Sequence, residues 1–303
     1  MTTPYLQGFS HHREWPQISI VTPSLNQAPF LERTIRSILL QGYQNLEYIV
    51  IDGGSTDGSA EIIRKYEPWL DYWVSEPDEG QAQAINKGLK RATGELVAYV
   101  NSDDYLLPEV LPRVVEWLVA REDKAWLIGA CRYEGAEGQR LSEFRVRNPA
   151  PEDPIRWLSR WRWGHPQPST FWRRHVFDEF GQFDEKLDYV FDTEHGIRLA
   201  VNGLLPLVVD EVLAVRTIHD AAKTSTAPVS FVRELDAVSA RYASSLSERK
   251  RLIVAGLRSM KAFKEAVSQG GERRQHFWRL FRESPLQTAR AMWIALPYAI
   301  RNR

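Results

Sequence analysis

The fold is decided by residues 18–58, which read ISIVTPSLNQAPFLERTIRSILLQGYQNLEYIVIDGGSTDG. A β-branched run over 18–21 predicts a strand, and apolar residues at helical spacing over 28–40 predict a helix. The apolar run over 46–51 predicts a second strand, and the Gly-rich residues after it predict a loop. The same alternation continues along the chain to about residue 130. It indicates an α/β protein with a mostly parallel central sheet flanked by helices.

Composition bounds the class of protein. The 303 residues suffice for one large domain or for a core with an appendage. The chain has 39 basic and 39 acidic side chains, so its net charge argues neither for nor against a nucleic-acid partner. No RNA-binding signature occurs, and we expect no such partner. A single cysteine excludes an intramolecular disulfide and a zinc cluster built on thiolates. Because no secretory signal and no long apolar run occur, we predict a cytoplasmic protein.

Polar residues follow four of the predicted strands. In an open α/β sheet the carboxyl ends of the strands border one crevice, where ligands bind. Turns alone explain four such clusters poorly, and we expect them to converge on a ligand site. The four clusters, called the strand tips below, are residues 22–26, 52–55, 76–81 and 101–104.

Two of the strand tips allow more than one interpretation when each is taken alone. Asp103 and Asp104 follow an almost wholly apolar run, and carboxylates are the ligands that Mg²⁺ and Mn²⁺ prefer. The same two residues could instead cap a turn. The loop at Asp52 and Gly53 matches neither the dinucleotide fingerprint nor the phosphate-binding Lys loop. It could admit a nucleoside close to the backbone, or it could be a plain turn.

Taken together, the strand tips resemble the inverting glycosyltransferases of family 2. Order and spacing agree over residues 18–110, and more loosely to about residue 224. The resemblance implies the A-type, Rossmann-like fold, a nucleotide-sugar donor, most simply a UDP-sugar, and a divalent metal, Mn²⁺ or Mg²⁺. It also implies a glycan or lipid-linked acceptor in the synthesis of a cell-surface polysaccharide. The matching stretches are residues 20–26, 48–58, 75–81, 84–88 and 101–104.

The resemblance also assigns the donor and metal sites. In place of the family's Asp-any-Asp metal motif this chain has Asn101 and Asp103, and an Asn brings no charge. Asp103 is therefore the expected metal ligand. His219, in a segment that resembles the family's later His and Lys-Thr positions, would complete that site, and Lys223 would face the diphosphate. The donor-binding residues implied are Thr22, Pro23, Ser24, Asn26, Asp52, Gly53, Ser55, Gly80, Gln81, Lys87, Asn101, Ser102 and Asp104.

An inverting transfer needs a base that takes the proton of the acceptor hydroxyl. The family places this carboxylate in a Glu-Asp step at the start of a helix, and Asp192 falls on that position. Phe191 replaces the Glu, and Glu194 follows two residues later, so both carboxylates are candidates, with Asp192 preferred. A helix N-cap is the structural alternative for Asp192. His165 and residues 167–171 would border the acceptor.

The rest of the chain is organised around these segments. We expect an N-terminal arm over 1–17, a glycosyltransferase domain over 18–225 and a helical region over 226–303. The domain would divide into a donor half, 18–110, and an acceptor half, 111–225. Tryptophans 157, 161, 163 and 172 could stack on an acceptor sugar or pack in the core. The basic, aromatic segment 271–303 could lie on the inner face of a membrane or pack as an amphipathic appendage.

Two other functions remain open at this point. A sugar nucleotidyltransferase is also a metal-dependent α/β enzyme, but residues 22–26 lack the basic Gly-rich phosphate loop that it would need after the first strand. A non-catalytic nucleotide-sugar-binding protein would need Asp103 but not Asp192.

Overall fold

The computed structural model describes residues 15–146, 158, 166–223, 228–244, 246–269 and 285–301. Several predictions therefore lie outside the described residues. They are those for the arm up to residue 14, for Trp157, Trp161, Trp163 and His165, and for residues 271–284 of the basic segment.

Helices and strands alternate along the first half of the described chain, as predicted, and strands and then helices follow. The helices are α1 (Ala28–Leu39), α2 (Ser59–Tyr66), α3 (Gln81–Arg91), α4 (Val110–Ala120), α5 (His175–Phe180), α6 (Phe191–Val201), α7 (Pro228–Ala243), α8 (Glu248–Gln269) and α9 (Pro285–Arg301). The strands are β1 (Ile18–Ser24), β2 (Leu46–Asp52), β3 (Tyr72–Ser75), β4 (Leu96–Tyr99), β5 (Tyr105–Leu106), β6 (Trp126–Gly135), β7 (Arg140–Phe144), β8 (Thr170–Arg173) and β9 (Leu207–Ile218).

All nine of these strands form one sheet, in the order β3-β2-β1-β4-β8-β6-β9-β5, with β7 beside β6. The predicted α/β fold with a central sheet between helices is confirmed. The sheet is parallel from β3 to β4, as predicted, but mixed beyond that point, where β8 pairs antiparallel with both β4 and β6. Strand and helix stop alternating after α4: β6 and β7 form a hairpin, and β8 enters the sheet between β4 and β6, antiparallel to both.

Both faces of the sheet are buried. Ile18 and Ile20 of β1 belong to a core cluster with α1, α2 and α4, whereas Val21 belongs to a second cluster with α3. Successive side chains of a strand point to opposite faces, so one strand serves both clusters. The second cluster also includes Val238 of α7 and Leu257 of α8. The C-terminal helices therefore pack on the same side of the sheet as α3.

Strand β1 is longer than predicted. It continues past Val21 to Ser24, because its ladder with β2 runs to the pair of Ser24 and Asp52. Thr22, Pro23 and Ser24 thus belong to the end of a strand rather than to the loop after it. No helix within the described ranges is both long and apolar enough to cross a membrane.

Candidate active site

A cavity of about 420 Å³ opens at the carboxyl ends of β1 and β4. Its wall combines residues from three of the four predicted strand tips with residues from α6 and from the end of β9. The sequence-predicted residues that line it are Pro23, Ser24, Gly80, Gln81, Asn101, Ser102, Asp103, Asp104, Asp192 and Lys223, together with Gln167 and Pro168 of the predicted acceptor border. The expected convergence is therefore present for three of the four tips, and the tip at residues 52–55 is not part of the wall.

Other predicted residues are not part of this wall. They are Thr22, Asn26, Asp52, Gly53, Ser55, Lys87, Glu194 and His219. Several of them bind neighbouring side chains of the protein instead. Thr22 is fully buried and its hydroxyl pairs with that of Tyr48 at 3.1 Å, and the ammonium of Lys87 forms an ion pair with Glu76 at 2.9 Å.

The Asp52 carboxylate holds the Gly-rich loop in place. Asp52 is fully buried, and its Oδ1 accepts a hydrogen bond from the Ser55 hydroxyl at 2.6 Å. Its Oδ2 accepts from the Ser55 backbone N–H at 2.9 Å and from the Ser75 hydroxyl at 2.7 Å. Asn26 ties the loop to the end of β1, because its N–H donates to Ser55 Oγ at 2.8 Å. These hydrogen bonds hold the strand tip at residues 52–55 against the ends of β1 and β3.

Two glycines bring the backbone of this region close to its neighbours. A β-carbon on Gly53 would lie 2.5 Å from Oδ2 of Asp78, which lines the cavity. Gly80 has φ 135°, in the region that favours glycine, and its N–H donates to Asp78 Oδ1 at 2.9 Å. A larger residue at position 53 would displace the Asp78 carboxylate from the wall, and one at position 80 would strain the backbone.

Asn101 belongs to a chain of amide groups and also donates from Nδ2 to Asp104 Oδ2 at 3.4 Å. Its Oδ1 accepts from Gln81 Nε2 at 2.7 Å, and its Nδ2 donates to Gln167 Oε1 at 3.2 Å. Gln167 Nε2 in turn donates to the carbonyl of Tyr99 at 2.8 Å. The chain links α3 to the segment before β8, so the residue that departs from the family motif joins the two halves of the cavity.

Asp103 lies next to His219. Asp103 Oδ2 and His219 Nε2 are 3.1 Å apart, and the imidazole ring packs on Phe30 with 4.6 Å between ring centroids. Two ligands bound about 2.1 Å from an octahedral ion would lie about 3 Å apart, so this pair fits a metal site. Among the described residues no group of three or more His, Cys, Asp or Glu side chains could hold a metal. A metal here would need phosphate oxygens or water as its remaining ligands.

Helix α1 holds the backbone of the strand tip at residues 101–104. The Thr34 hydroxyl donates to the carbonyl of Ser102 at 2.9 Å and to that of Asp104 at 2.6 Å. The Asp104 carboxylate accepts from the N–H of Thr217 at 3.0 Å. Burial and then the charge of Asp103 raise the pKa of Asp104 well above its usual value, although Arg216 opposes the shift. Asp104 therefore joins β9 to the strand tip.

Arg216 is the main cavity residue that the sequence analysis missed. It lines the cavity, and burial disfavours its charge, but the carboxylates of Asp104 and Asp192 raise the pKa of its guanidinium above the usual value. The signal was an arginine within the mostly apolar residues 212–218 of β9. Such a charge is seldom buried without acidic partners, so it could have been read as a pointer to the site.

The two candidate bases differ in their surroundings. Asp192, the second residue of α6, lines the cavity. Glu194 has 2% of its side chain exposed and forms an ion pair with Arg198 at 2.7 Å. It also accepts a hydrogen bond from the Tyr242 hydroxyl of α7. Asp192 thus faces the cavity, whereas Arg198 and Tyr242 bind the carboxylate of Glu194.

The mixed sheet between helices, with a polar cavity at the strand ends, is the architecture of a glycosyltransferase of the A-type fold. The model of the family "Glycosyl transferase family 2" matches residues 19–181, more than half of the chain. The protein belongs to this family and is an enzyme of the glycosyltransferase class, as the sequence predicted.

Two proteins of similar sequence and one solved structure support this family assignment. An uncharacterized glycosyltransferase of Mycobacterium tuberculosis is 32% identical over 190 residues, 61% of this chain and 70% of the relative. The putative teichuronic acid biosynthesis glycosyltransferase TuaG of Bacillus subtilis is 36% identical over 110 residues, 35% of this chain and 43% of TuaG. The structure of residues 1–349 of Staphylococcus aureus TarS with UDP-GlcNAc matches with a TM-score of 0.65 at 20% identity, over 86% of this chain and 78% of that one.

Proposed function

We propose that the protein transfers a sugar from a nucleotide-diphosphate donor to a hydroxyl of a glycan or lipid-linked acceptor, with inversion and with a divalent metal. One observation carries the proposal: Asp103 and Asp192, from different halves of the chain, line the same cavity. A metal-binding carboxylate and a base on one cavity are the two groups that an inverting transfer requires.

The donor side of the cavity suits a nucleoside diphosphate. Arg216 and Lys223, both in the wall, supply positive charge for its phosphates. TarS, which has the same fold, was solved with UDP-GlcNAc, and this supports a UDP-sugar as the donor. Asp103 and His219 would hold the Mn²⁺ or Mg²⁺. When bound, the metal would neutralise the charge that develops on the departing diphosphate.

Asp192 would act as the base. In a single displacement the acceptor oxygen attacks the anomeric carbon, the bond from that carbon to the diphosphate oxygen breaks, and the acceptor proton passes to Asp192. The products are the inverted glycoside and the nucleoside diphosphate. Glu194 is unsuited to this role because Arg198 and Tyr242 already occupy its carboxylate.

The acceptor side combines aromatic and polar groups. Tyr189 and Phe231 line the cavity beside Asp188 and offer aromatic surface for a sugar ring, and the Lys223 ammonium lies over the Tyr189 ring, 5.4 Å from its centre. Trp172, in contrast, is buried and stacks on Tyr99 in the core. Two relatives favour an acceptor in cell-surface polysaccharide synthesis: TuaG, and TarS, a poly(ribitol-phosphate) β-N-acetylglucosaminyltransferase of Staphylococcus aureus.

Contact with the inner face of a membrane is part of the proposal. On α9, Leu286 and Trp293 have 85% and 76% of their surface exposed, and α9 contains Arg290 but no Asp or Glu. Exposed apolar side chains beside arginines suit an anionic lipid surface. Co-sedimentation with phosphatidylglycerol vesicles should fall several-fold in Leu286→Ala/Trp293→Ala. Leu141→Ala, an exposed leucine elsewhere, is the control, and equal sedimentation of both variants would contradict the contact.

The decisive experiment incubates the protein with a panel of nucleotide sugars and MnCl₂ or MgCl₂ and measures the nucleoside diphosphate released. We expect one donor to be turned over, and Asp103→Ala to lower its turnover by about 10²-fold or more. Asp123→Ala, which removes an exposed carboxylate paired with Arg121, serves as the control.

The other outcomes separate the alternatives. Release of diphosphate that survives Asp103→Ala would contradict the metal assignment. Pyrophosphate formed from a sugar phosphate and a nucleoside triphosphate would indicate a nucleotidyltransferase. Binding of UDP without turnover of any donor, unaffected by Asp192→Asn, would indicate a binding protein.

A further inference from the structure

Helix α7 places a carboxylate on the chain directly before the helix of Asp192. Glu234 Oε1 accepts a hydrogen bond from the backbone N–H of Asp188 at 2.9 Å. Its Oε2 accepts from the N–H of Tyr189 at 2.8 Å and from that of Val190 at 3.2 Å. Three successive N–H groups that point at one carboxylate form an anion-binding nest, and this nest lies at the N-terminus of α6, where negative charge is favoured. Glu234 thus fixes the backbone where it enters α6.

The earlier part of the same segment is held by other residues. Asn86 of α3 binds both backbone groups of Phe183, at 2.9 Å and 3.2 Å. Arg198 donates to the carbonyl of Gln182 at 2.9 Å, and Arg241 of α7 forms an ion pair with Asp184 at 3.0 Å. These contacts act at residues 182–184, well before the cavity wall. Glu234 acts on the three residues that lead directly to Asp192.

We propose that Glu234 is a positioning residue for the transfer reaction. It sets the location of Asp192, two residues after the last N–H that it binds, and orients Asp188 and Tyr189 along the cavity. The inference rests on the proposed role of Asp192 as base. Phe231, one turn before Glu234 on α7, lines the cavity as well. Helix α7 is therefore part of the catalytic site, although it lies outside the residues that the family model matches.

Loss of the Glu234 carboxylate should affect the turnover number and the affinity for UDP differently. A misplacement of a reacting group by about 1 Å can cost about 10²-fold in rate. Loss of the Glu234 carboxylate frees residues 188–190 and so moves the base, but it leaves the strand tips of the donor side untouched. The turnover number should fall while the affinity for UDP stays the same.

The test compares Glu234→Ala, Glu234→Gln and Arg233→Gln, the last being an exposed neighbour on α7, in the full chain. Turnover is measured with the donor that the panel identifies, with water as acceptor where no sugar acceptor is known, and UDP binding is measured by calorimetry with MnCl₂. We expect kcat to fall about 50-fold in Glu234→Ala with the Kd for UDP within about twofold of wild type. Glu234→Gln keeps one acceptor oxygen, so it should lose only about fivefold, and Arg233→Gln should match wild type.

Hydrogen exchange provides a readout that does not depend on activity. The amides of residues 188–190 should exchange about tenfold faster in Glu234→Ala than in wild type, while those of β1 and β2 stay unchanged. Wild-type kcat in Glu234→Ala would overturn the proposal, and so would a parallel loss of kcat and UDP affinity. If no donor is turned over by the wild-type protein, the proposed function fails separately. In that case faster exchange would still support the clamp by Glu234, and unchanged exchange would overturn it.

Discussion

The two sides of the cavity are held in place in different ways. On the donor side, Asp52, Ser55, Ser75 and Asn26 bind one another, and all of them lie within the residues that the family model matches. On the acceptor side, the segment before Asp192 is held by Glu234 of α7, which lies beyond that range. The hydrogen bonds that hold the Gly-rich loop thus come from one stretch of chain, whereas the segment before Asp192 is held by a helix that comes later in the sequence.

The strongest test of this difference removes the base itself. Asp192→Asn should lower kcat by about 10³-fold, because the amide cannot accept the acceptor proton, while the affinity for UDP remains that of wild type. Glu194→Gln is the matched control two residues away. It weakens the ion pair with Arg198, so it should lower the unfolding temperature while kcat stays far closer to wild type than in Asp192→Asn. The reverse pattern, an active Asp192→Asn and an inactive Glu194→Gln, would move the base to Glu194.

A smaller effect is expected on the donor side. In Asp52→Asn the side-chain amide can no longer accept at one of its two positions, so hydrogen bonds to Ser55 or Ser75 are lost. A bond to a charged group contributes about 1.5–3 kcal/mol, and we expect the affinity for UDP to fall about tenfold as the loop opens. At saturating donor, kcat should stay within about threefold of wild type, as calorimetry and steady-state kinetics can show.

The exposed Asp123→Asn variant controls for the loss of one negative charge. If Asp52→Asn instead lowered kcat at saturating donor as much as Glu234→Ala does, the two sides of the cavity would not act independently. The contrast between a donor side that controls affinity and an acceptor side that controls rate would then have to be given up.

The sequence predicted the donor side far better than the acceptor side, for a physical reason. Strands β1 to β4 and helices α1 to α4 have strong hydrophobic periodicity, so their positions could be predicted to within a few residues. The strand tips carry polar side chains at the carboxyl ends of parallel strands, and topology alone brings those ends together. Residues predicted for the donor, the metal and the base, from both halves, therefore line one cavity.

What the sequence could not predict depends on contacts between distant segments. Glu234 binds backbone N–H groups, which nearly every residue type has, so the sequence of the bound segment does not reveal the contact. Asp52 and Thr22 look like ligand-binding residues in the linear chain, yet both are fully buried and bind neighbouring side chains. The choice between Asp192 and Glu194 likewise depended on Tyr242, 48 residues further along the chain. The roles of the site residues and the division of the chain at residue 225 stay predictions.

The amide chain through Asn101 has a consequence for how the protein can change in evolution. Gln167 donates to the Tyr99 carbonyl, which turns its side-chain oxygen towards Asn101, and only a residue with a proton to give can meet that oxygen. An Asp at position 101 would restore the Asp-any-Asp motif but would set a negative charge against the oxygen of Gln167. The two positions should therefore be inherited as a pair, with Asp at 101 appearing in lineages where a hydrogen-bond donor at 167 faces it.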